Sequence, residues 1–155
     1  MTTTANLTDQ STFTVSEEIY VRASLEQTFE SLLAQLGPLN ETPDGRALTM
    51  VLEARPGGRW YRDLGGDNGH LWGFVQSIKR PSLLEVWGPL MMSTGATSNM
   101  IYRLSEKDGG TLLSFKHTLV GPVSDEAREK MPPGWAAMNA NVKKNAEQRA
   151  ERKPS

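Results

Sequence analysis

Apolar and polar side chains alternate near the start of the chain. Phe13, Val15, Ile19 and Val21 occupy odd positions, and polar residues or a tyrosine occupy the even positions between them. This period of two is typical of a β-strand that buries one face, with Glu17 as a charged interruption of that face. The pattern therefore predicts a first strand over about residues 13–21.

The pattern then changes to the spacing of a helix. Ser24 and Gln27 have the S-x-x-Q spacing of a capping box, which marks a helix N-terminus. An apolar stripe follows at positions i, i+3, i+4 and i+7, formed by Phe29, Leu32, Leu33 and Leu36. Gly37 and Pro38 are typical of a helix end. We expect one amphipathic helix here.

Short strand-like segments fill the middle of the chain. They are separated by turns rich in glycine, proline, aspartate and asparagine, and lie at about residues 49–54, 59–63, 71–79, 83–87, 97–104 and 111–119. A short helix is predicted from Ser124 to Lys130, where Pro132, Pro133 and Gly134 interrupt it. A long helix is then predicted from Trp135 towards the C-terminus, with Trp135, Met138, Val142 and Ala146 along one side.

This order of elements predicts an α+β fold. The connections between strands are short enough for antiparallel hairpins, and no strand–helix–strand crossover is visible. We expect a curved antiparallel sheet that packs against the two sequence-terminal helices. The sequence is interpreted as a flexible N-terminus at 1–11, a single domain at 12–150 and a C-terminal tail at 151–155.

Composition excludes several classes of site. The 155 residues carry a formal net charge of -1, include no cysteine and have only two histidines. Cysteine-based catalysis and thiolate metal sites are therefore absent, and no cofactor or metal is expected. A near-neutral chain gives no general attraction for nucleic acid. Because no signal peptide or membrane span is apparent, we expect a cytoplasmic protein.

An ordered set of motifs resembles a known family. It comprises residues 53–60 (EARPGGRW), 73–75 with Ile78 and Pro81, 84–87, 110–113 with His117, and 134–135. The set is similar to the activator of heat-shock protein 90 ATPase homologue family, within the START-like (SRPBCC) superfamily, over about residues 12–146. The resemblance implies a helix-grip fold, in which a curved antiparallel β-sheet wraps around a long C-terminal helix and leaves an apolar cavity. Asn139 stands where this family usually has leucine.

Aromatic and methionine side chains are the candidate lining of that cavity. Trp60, Tyr102, Phe115 and Trp135 are predicted to point inwards from strand parity or helix phase, although a β-bulge would invert the parity. Ordinary core packing is the alternative for each of them. The candidate ligand-binding residues are Trp60, Trp72, Phe74, Trp87, Met100, Tyr102, Phe115, His117, Trp135 and Met138.

His117 is the candidate polar residue inside the fold, because it shares a strand face with Leu113 and Phe115. It would be a satisfied core histidine, a polar anchor for a ligand, or a general acid/base. Glu53 would lie inside as a ligand partner or outside as a surface acid. Asn139 and its neighbour Asn141 would point either into the cavity or to solvent.

Three functions remain open from the sequence. The first is a binding protein for a small hydrophobic or amphipathic ligand, such as a lipid, with Met91 and Met92 near the pocket mouth. The second is a cyclase- or hydrolase-like enzyme that uses His117 as acid/base, with Tyr102 or Glu53 as its partner. The third is a chaperone-associated protein-interaction module, as the family name suggests, with a role in the stress response. The sequence also leaves a homodimer open.

Overall fold

The computed structural model describes residues 12–152. Seven strands and two helices follow one another in the order β1 (Thr12–Val21), α1 (Leu25–Leu36), β2 (Val51–Leu52), β3 (Arg59–Gly65), β4 (Asn68–Lys79), β5 (Leu83–Gly88), β6 (Thr97–Lys107), β7 (Gly110–Val120) and α2 (Asp125–Arg152). The predicted flexible segment 1–11 lies outside the described residues. So does most of the predicted tail, whereas residues 151 and 152 are the last turn of α2.

The strands form one curved antiparallel sheet with the order β1-β7-β6-β5-β4-β3-β2. Strands β2 to β7 are sequential neighbours, and β1 joins the far side of β7, so the order contains a single long-range pairing. No helix within residues 12–152 is both long enough and apolar enough to cross a membrane. The predicted helix-grip arrangement of curved sheet and long C-terminal helix is confirmed.

Helix α1 begins and ends where the sequence predicts. The Ser24 hydroxyl accepts the Gln27 backbone N–H at 3.1 Å, and the Gln27 side chain accepts the Ser24 backbone N–H at 3.0 Å. Gly37 ends the helix with its N–H bonded to the Leu33 carbonyl at 3.0 Å. Phe29, Leu32 and Leu36 are buried on the apolar stripe. The predicted capping box is therefore confirmed.

Helix α2 corrects the prediction of two separate helices. It runs without a break from Asp125 to Arg152 and includes Pro132 and Pro133. Proline fixes φ near the helical value, so its cost inside a helix is a missing donor and a steric clash. Both prolines are exposed on the outer side of α2. Water can therefore reach the nearby backbone, and the packing of the inner side holds the helix together.

Strand β2 is also shorter than predicted. It pairs with β3 only through Val51–Tyr61 and Leu52–Trp60. The chain then turns tightly, with the Glu53 N–H bonded to the Arg59 carbonyl at 2.9 Å. The β3–β4 hairpin is longer than predicted, because its pairing continues to Gly65–Asn68.

The interior lies between the sheet, α1 and the inner side of α2. Trp135, Val142 and Ala146 on α2 are buried along the predicted stripe, together with Asn139. The Ser31 hydroxyl of α1 donates to the Val142 carbonyl at 2.7 Å and so joins the two helices. This packing fixes α2 against the sheet and α1.

Candidate ligand cavity

A cavity of about 350 Å³ opens beside the first half of α2. Its walls are α2, the connection between α1 and β2, and the inner face of β3 and β4. Apolar atoms form almost all of its surface. Its main apolar lining residues are Leu48, Trp60, Trp72, Met91, Met92, Met131, Trp135, Ala137 and Met138. Four of the predicted ligand-binding residues, Trp60, Trp72, Trp135 and Met138, therefore meet at one site.

Two of the tryptophans are held by their indole N–H groups. Trp60 on β3 is fully buried and donates to the Leu36 carbonyl at 2.7 Å. Leu36 is the last residue of α1, where helix carbonyls lack helical partners, so the indole satisfies one of them. Trp72 on β4 meets Trp60 edge to face with ring centroids 5.0 Å apart, and donates to Nδ1 of His70 at 3.1 Å. The indole planes are therefore set before any ligand binds.

A β-bulge decides which side chains of β4 point inwards. Trp60 pairs with Gly73 but Tyr61 pairs with Leu71, so Trp72 is an extra residue opposite β3. Such an insertion breaks the alternation of a strand. Trp72 is buried, whereas Phe74, two residues further along, is only partly buried. The bulge therefore separates two side chains that strict parity would place together.

Phe74 and Trp87 do not line the cavity, which corrects the prediction for this pair. They are direct cross-strand partners on the outer face of the sheet, with ring centroids 5.4 Å apart. The Trp87 side chain is 46% exposed, while its neighbour Val86 is fully buried. The bulge at Trp72 explains why Phe74 points outwards, and the ordinary alternation of β5 explains why Trp87 does.

Met100, Tyr102 and Phe115 point inwards as predicted, but they fill the interior and do not line the cavity. The Tyr102 and Phe115 rings lie 4.8 Å apart, and Phe115 lies 4.7 Å from Trp135. Met100 is fully buried in the same layer. Trp135 thus packs on the sheet through Phe115 and also forms part of the cavity wall. The empty space lies beside this aromatic layer.

His117 is buried in that layer and does not line the cavity. The Trp135 indole donates to Nδ1 of His117 at 2.9 Å, so Nε2 carries the ring proton and donates to the Ser98 hydroxyl at 2.8 Å. Burial lowers the pKa of His117 to about 4. A general base would instead accept the hydroxyl proton. The observed arrangement is that of a neutral, satisfied core histidine, which was one of the three interpretations.

A second buried chain of hydrogen bonds joins β6, α2 and β1. The Tyr102 hydroxyl donates to Oδ1 of Asn139 at 2.7 Å, and Nδ2 of Asn139 donates to Oε1 of Glu17 at 2.8 Å. Burial, with a smaller contribution from Glu17, raises the pKa of Tyr102 well above its usual value. Asn139 therefore points into the interior. Its hydrogen bond to Glu17 explains why a charged residue interrupts the apolar face of β1.

Polar residues stand at the rim of the cavity. Nδ2 of Asn141 donates to Oε1 of Glu41 at 2.6 Å, and both residues line the opening with Lys130. Met91, 42% exposed, and Met92 line the same cavity, so the methionine pair does lie at its edge.

Glu53 takes the surface alternative. Its carboxylate accepts from the backbone N–H and the guanidinium of Arg59 at 2.8 to 3.0 Å. These hydrogen bonds, led by the one from the Arg59 side chain, lower the pKa of Glu53 to about 2. Glu53 is bonded to Arg59, whereas His117 is bonded to Ser98 and Trp135, so the two are not partners.

Several lining residues were missed from the sequence. Leu48 and the polar Asn40, Glu41 and Thr42 belong to an irregular connection, where no periodicity reveals which side chains face inwards. Ala137 was missed because a small residue gives no signal of its own. Within residues 12–152 no group of three His, Asp or Glu side chains is placed to hold a metal ion.

Comparison with known proteins gives information on the fold. No family model matches the sequence. No curated protein matches it either. Solved structures do match, and the three described next are 12–16% identical to this chain.

The solution structure of the Aha1 dimer from Colwellia psychrerythraea is 16% identical, with a TM-score of 0.63 over 87% of this chain and 96% of that one. The crystal structure of Ara h 8.0201 is 12% identical, with a TM-score of 0.63 over 88% of this chain and 99% of that one. The di-domain ARO/CYC BexL is 15% identical, with a TM-score of 0.62 over 93% of this chain and 52% of that one. The presence of an Aha1 structure supports the resemblance seen in the sequence at the level of fold. The chain therefore has the START-like helix-grip fold that these proteins share.

Proposed function

We propose that this protein binds a small hydrophobic or amphipathic molecule in the cavity beside α2. The observation that carries the proposal is the cavity itself, with a volume of about 350 Å³ and a wall of three tryptophans and four methionines. Ligand sites are typically concave and mostly apolar, with a few polar groups that orient the ligand. The rim residues Glu41, Lys130 and Asn141 are polar groups of this kind.

The wall also explains how binding would gain free energy. Burial of apolar ligand surface contributes about 25 cal/mol per Å². The indoles of Trp60 and Trp72 are already fixed by hydrogen bonds, so little side-chain entropy is lost there on binding. The methionines can adjust to ligands of different shape, because their side chains are unbranched and flexible.

Filling the cavity tests this proposal. Ala137 lines the cavity on α2, whereas its neighbour Ala136 is exposed and does not line it. The Ala137→Trp variant is expected to lose binding of an apolar fluorescent probe, because the indole occupies the space. The Ala136→Trp variant has the same change in composition on the same helix and is expected to bind as the wild type does.

Native mass spectrometry of the protein from its natural host completes the test. We expect a bound small molecule in the wild type and in Ala136→Trp, and none in Ala137→Trp. Equal binding of probe and small molecule by both variants would show that the cavity is not the site.

The enzyme hypothesis has less support from the geometry. In the part of the chain that the structure describes, the side chains hydrogen-bonded to His117 are Trp135 and Ser98, neither of which titrates near neutral pH. A reaction in the cavity would need another acid/base, and the ionisable side chains among its described lining residues are Glu41 and Lys130 at the rim. A protein that only carries or sequesters a ligand needs no acid/base group in its cavity.

A protein-interaction module is the second candidate, favoured by the outer-face pair of Trp87, which is exposed, and Phe74, which is partly buried. An aromatic pair on an outer sheet face is the kind of surface that proteins use as a contact. The Colwellia psychrerythraea Aha1 structure is described as a dimer, and we take a second copy of this chain as the partner. Sedimentation of the wild type and of Trp87→Ser tests this, since only the wild type should dimerise. The cytoplasmic location stays a prediction.

A further inference from the structure

A cationic side chain faces a histidine just beyond the tryptophan wall. Arg62 on β3 and His70 on β4 are direct cross-strand partners. His70 accepts the indole N–H of Trp72, which lines the apolar cavity. The Trp72–His70 hydrogen bond therefore connects this cross-strand pair to the cavity wall. A second, more open depression of about 620 Å³ runs along the β3–β4 hairpin, and residues of both sheet faces line it, Arg62 and His70 among them.

Strand geometry places these side chains on the same face as the tryptophans. The extra residue of the bulge belongs to β4, so β3 alternates regularly and Arg62 shares the face of Trp60. His70 lies opposite Arg62 and bonds to Trp72, so it shares this face too. Arg59 and Tyr61 lie on the other face, where the guanidinium stacks 4.7 Å from the Tyr61 ring centroid.

Both groups have hydrogen-bond donors to offer. Within residues 12–152 the Arg62 guanidinium makes no hydrogen bond or ion pair, although the side chain is partly buried. Because Nδ1 of His70 accepts the Trp72 N–H, the ring proton of neutral His70 is on Nε2, which faces away from the indole. Guanidinium and imidazole N–H groups in this arrangement fit an oxyanion, with the guanidinium able to bind two of its oxygens.

We propose that the ligand is an amphipathic anion, with its apolar part between the tryptophans and its acidic group at Arg62 and His70. This inference rests on the proposed function and names the class of ligand. A carboxylate, sulfonate or phosphate would satisfy the donors that the fold leaves unused. The apolar part would occupy the cavity of Trp60 and Trp72.

The charges around the two sites favour this end for the acidic group. Glu41 at the cavity rim would repel an anion, and Lys130 there is already paired with Glu126 at 2.6 Å. Two carboxylates also line the depression: Asp63 alternates onto the face opposite Arg62 and accepts the Gly65 N–H at 2.8 Å, and Asp67 lies in the turn between the two strands. Among the described residues of β3 and β4, Arg62 is the cation that shares the tryptophan face and has no partner.

Three probes with one chain length test the inference by calorimetry: decanoate, decanol and decylamine. Decanoate is expected to bind about tenfold more tightly than decanol, the ratio that a charge-assisted hydrogen bond of modest strength produces. In Arg62→Gln the affinity for decanoate is expected to fall to that for decanol, while the affinity for decanol stays unchanged. Arg62→Lys should retain part of the ratio. Arg103→Gln, an exposed arginine on β6, is the matched control and should behave as the wild type.

The outcomes separate this inference from the proposed function. If decanoate and decanol bind equally well, or if Arg62→Gln and Arg103→Gln weaken decanoate binding to the same extent, the anion site is wrong and the cavity proposal stands. Preferential binding of decylamine also overturns the anion site and points to Glu41. If none of the three probes binds, the proposed function itself fails.

Discussion

The indole N–H of Trp135 donates to Nδ1 of His117 across the interior, at 2.9 Å. The bond ties α2 to β7, and its donor is also part of the cavity wall. A shift of α2 away from the sheet would break this bond and leave His117 Nδ1 without a partner in a buried site, which is costly. Protonation of Nδ1 would remove the acceptor of this bond. The position of the Trp135 side chain in the cavity wall is therefore coupled to the protonation state of His117.

Stability is expected to fall as the pH drops from about 6.5 to about 4. The folded-state pKa of His117 is about 4, below its ordinary value of 6.5. The unfolded chain therefore binds more protons in this window, and the contribution of neutral His117 is complete above 6.5 and lost as the pH falls through 4. The loss amounts to about 3 kcal/mol. Urea unfolding at a series of pH values measures it.

One variant checks that His117 is the source of this pH dependence. His117→Gln should flatten the profile between pH 4 and 6.5. Glu53, whose pKa is lowered from 4.5 to about 2 by its hydrogen bonds with Arg59, loses its contribution between these two values, mostly below this window. An unchanged slope in His117→Gln would contradict the assignment.

Tyr102→Phe is expected to destabilise the protein by about 1–3 kcal/mol, because Oδ1 of Asn139 is left buried without its donor. Adding Asn139→Leu to Tyr102→Phe should remove part of that cost, because Oδ1 is then gone, while the partly buried Glu17 carboxylate loses its Asn139 donor. A double-mutant cycle in urea gives the coupling between the two residues. Additive effects would show that the bond contributes nothing specific.

Fluorescence quenching distinguishes the cavity tryptophans from the outer one. Trp60, Trp72 and Trp135 are at most 8% exposed, while Trp87 is 46% exposed. Iodide should therefore quench mainly Trp87, and the Trp87→Phe variant should be nearly insensitive to it. An apolar quencher that enters the cavity should still quench that variant. Strong iodide quenching of Trp87→Phe would mean that the wall is open to water.

Two Gly→Ala substitutions are expected to have opposite effects. At Gly73 a Cβ would lie 2.6 Å from the Trp87 carbonyl oxygen, so Gly73→Ala must disturb the β4–β5 pairing at the bulge. At Gly134 a Cβ would meet nothing within 4 Å, and the residue lies inside α2. Gly134→Ala should stabilise the protein by about 0.5–1 kcal/mol. Thermal unfolding of both variants is the measurement.

The sequence was sufficient for the framework of this fold. The odd face of β1, the capping box of α1 and the buried stripe of α2 follow from local spacing, because each depends on residues within a few positions. The inward orientation of Trp60, Tyr102, Phe115 and Trp135 also followed from parity or helix phase.

The candidate site was less predictable, because it depends on contacts between distant segments. The bulge at Trp72 arises from pairing with β3 and leaves no local pattern, so Phe74 was placed on the wrong face. The side chains of the irregular 38–48 segment are positioned only by tertiary packing. Pro132 and Pro133 predicted a break because local rules give the cost of proline without the compensating packing of the inner helix side.

Those two prolines bear on how a guest molecule would reach the cavity. They lie between Met131 and Trp135, both of which line it, in a stretch that also contains Gly134. Two backbone N–H groups are missing there, so fewer helical bonds need to break for this turn to loosen than for a turn without proline in the interior of α2. The gate would be one turn of helix, while the sheet behind it stays intact.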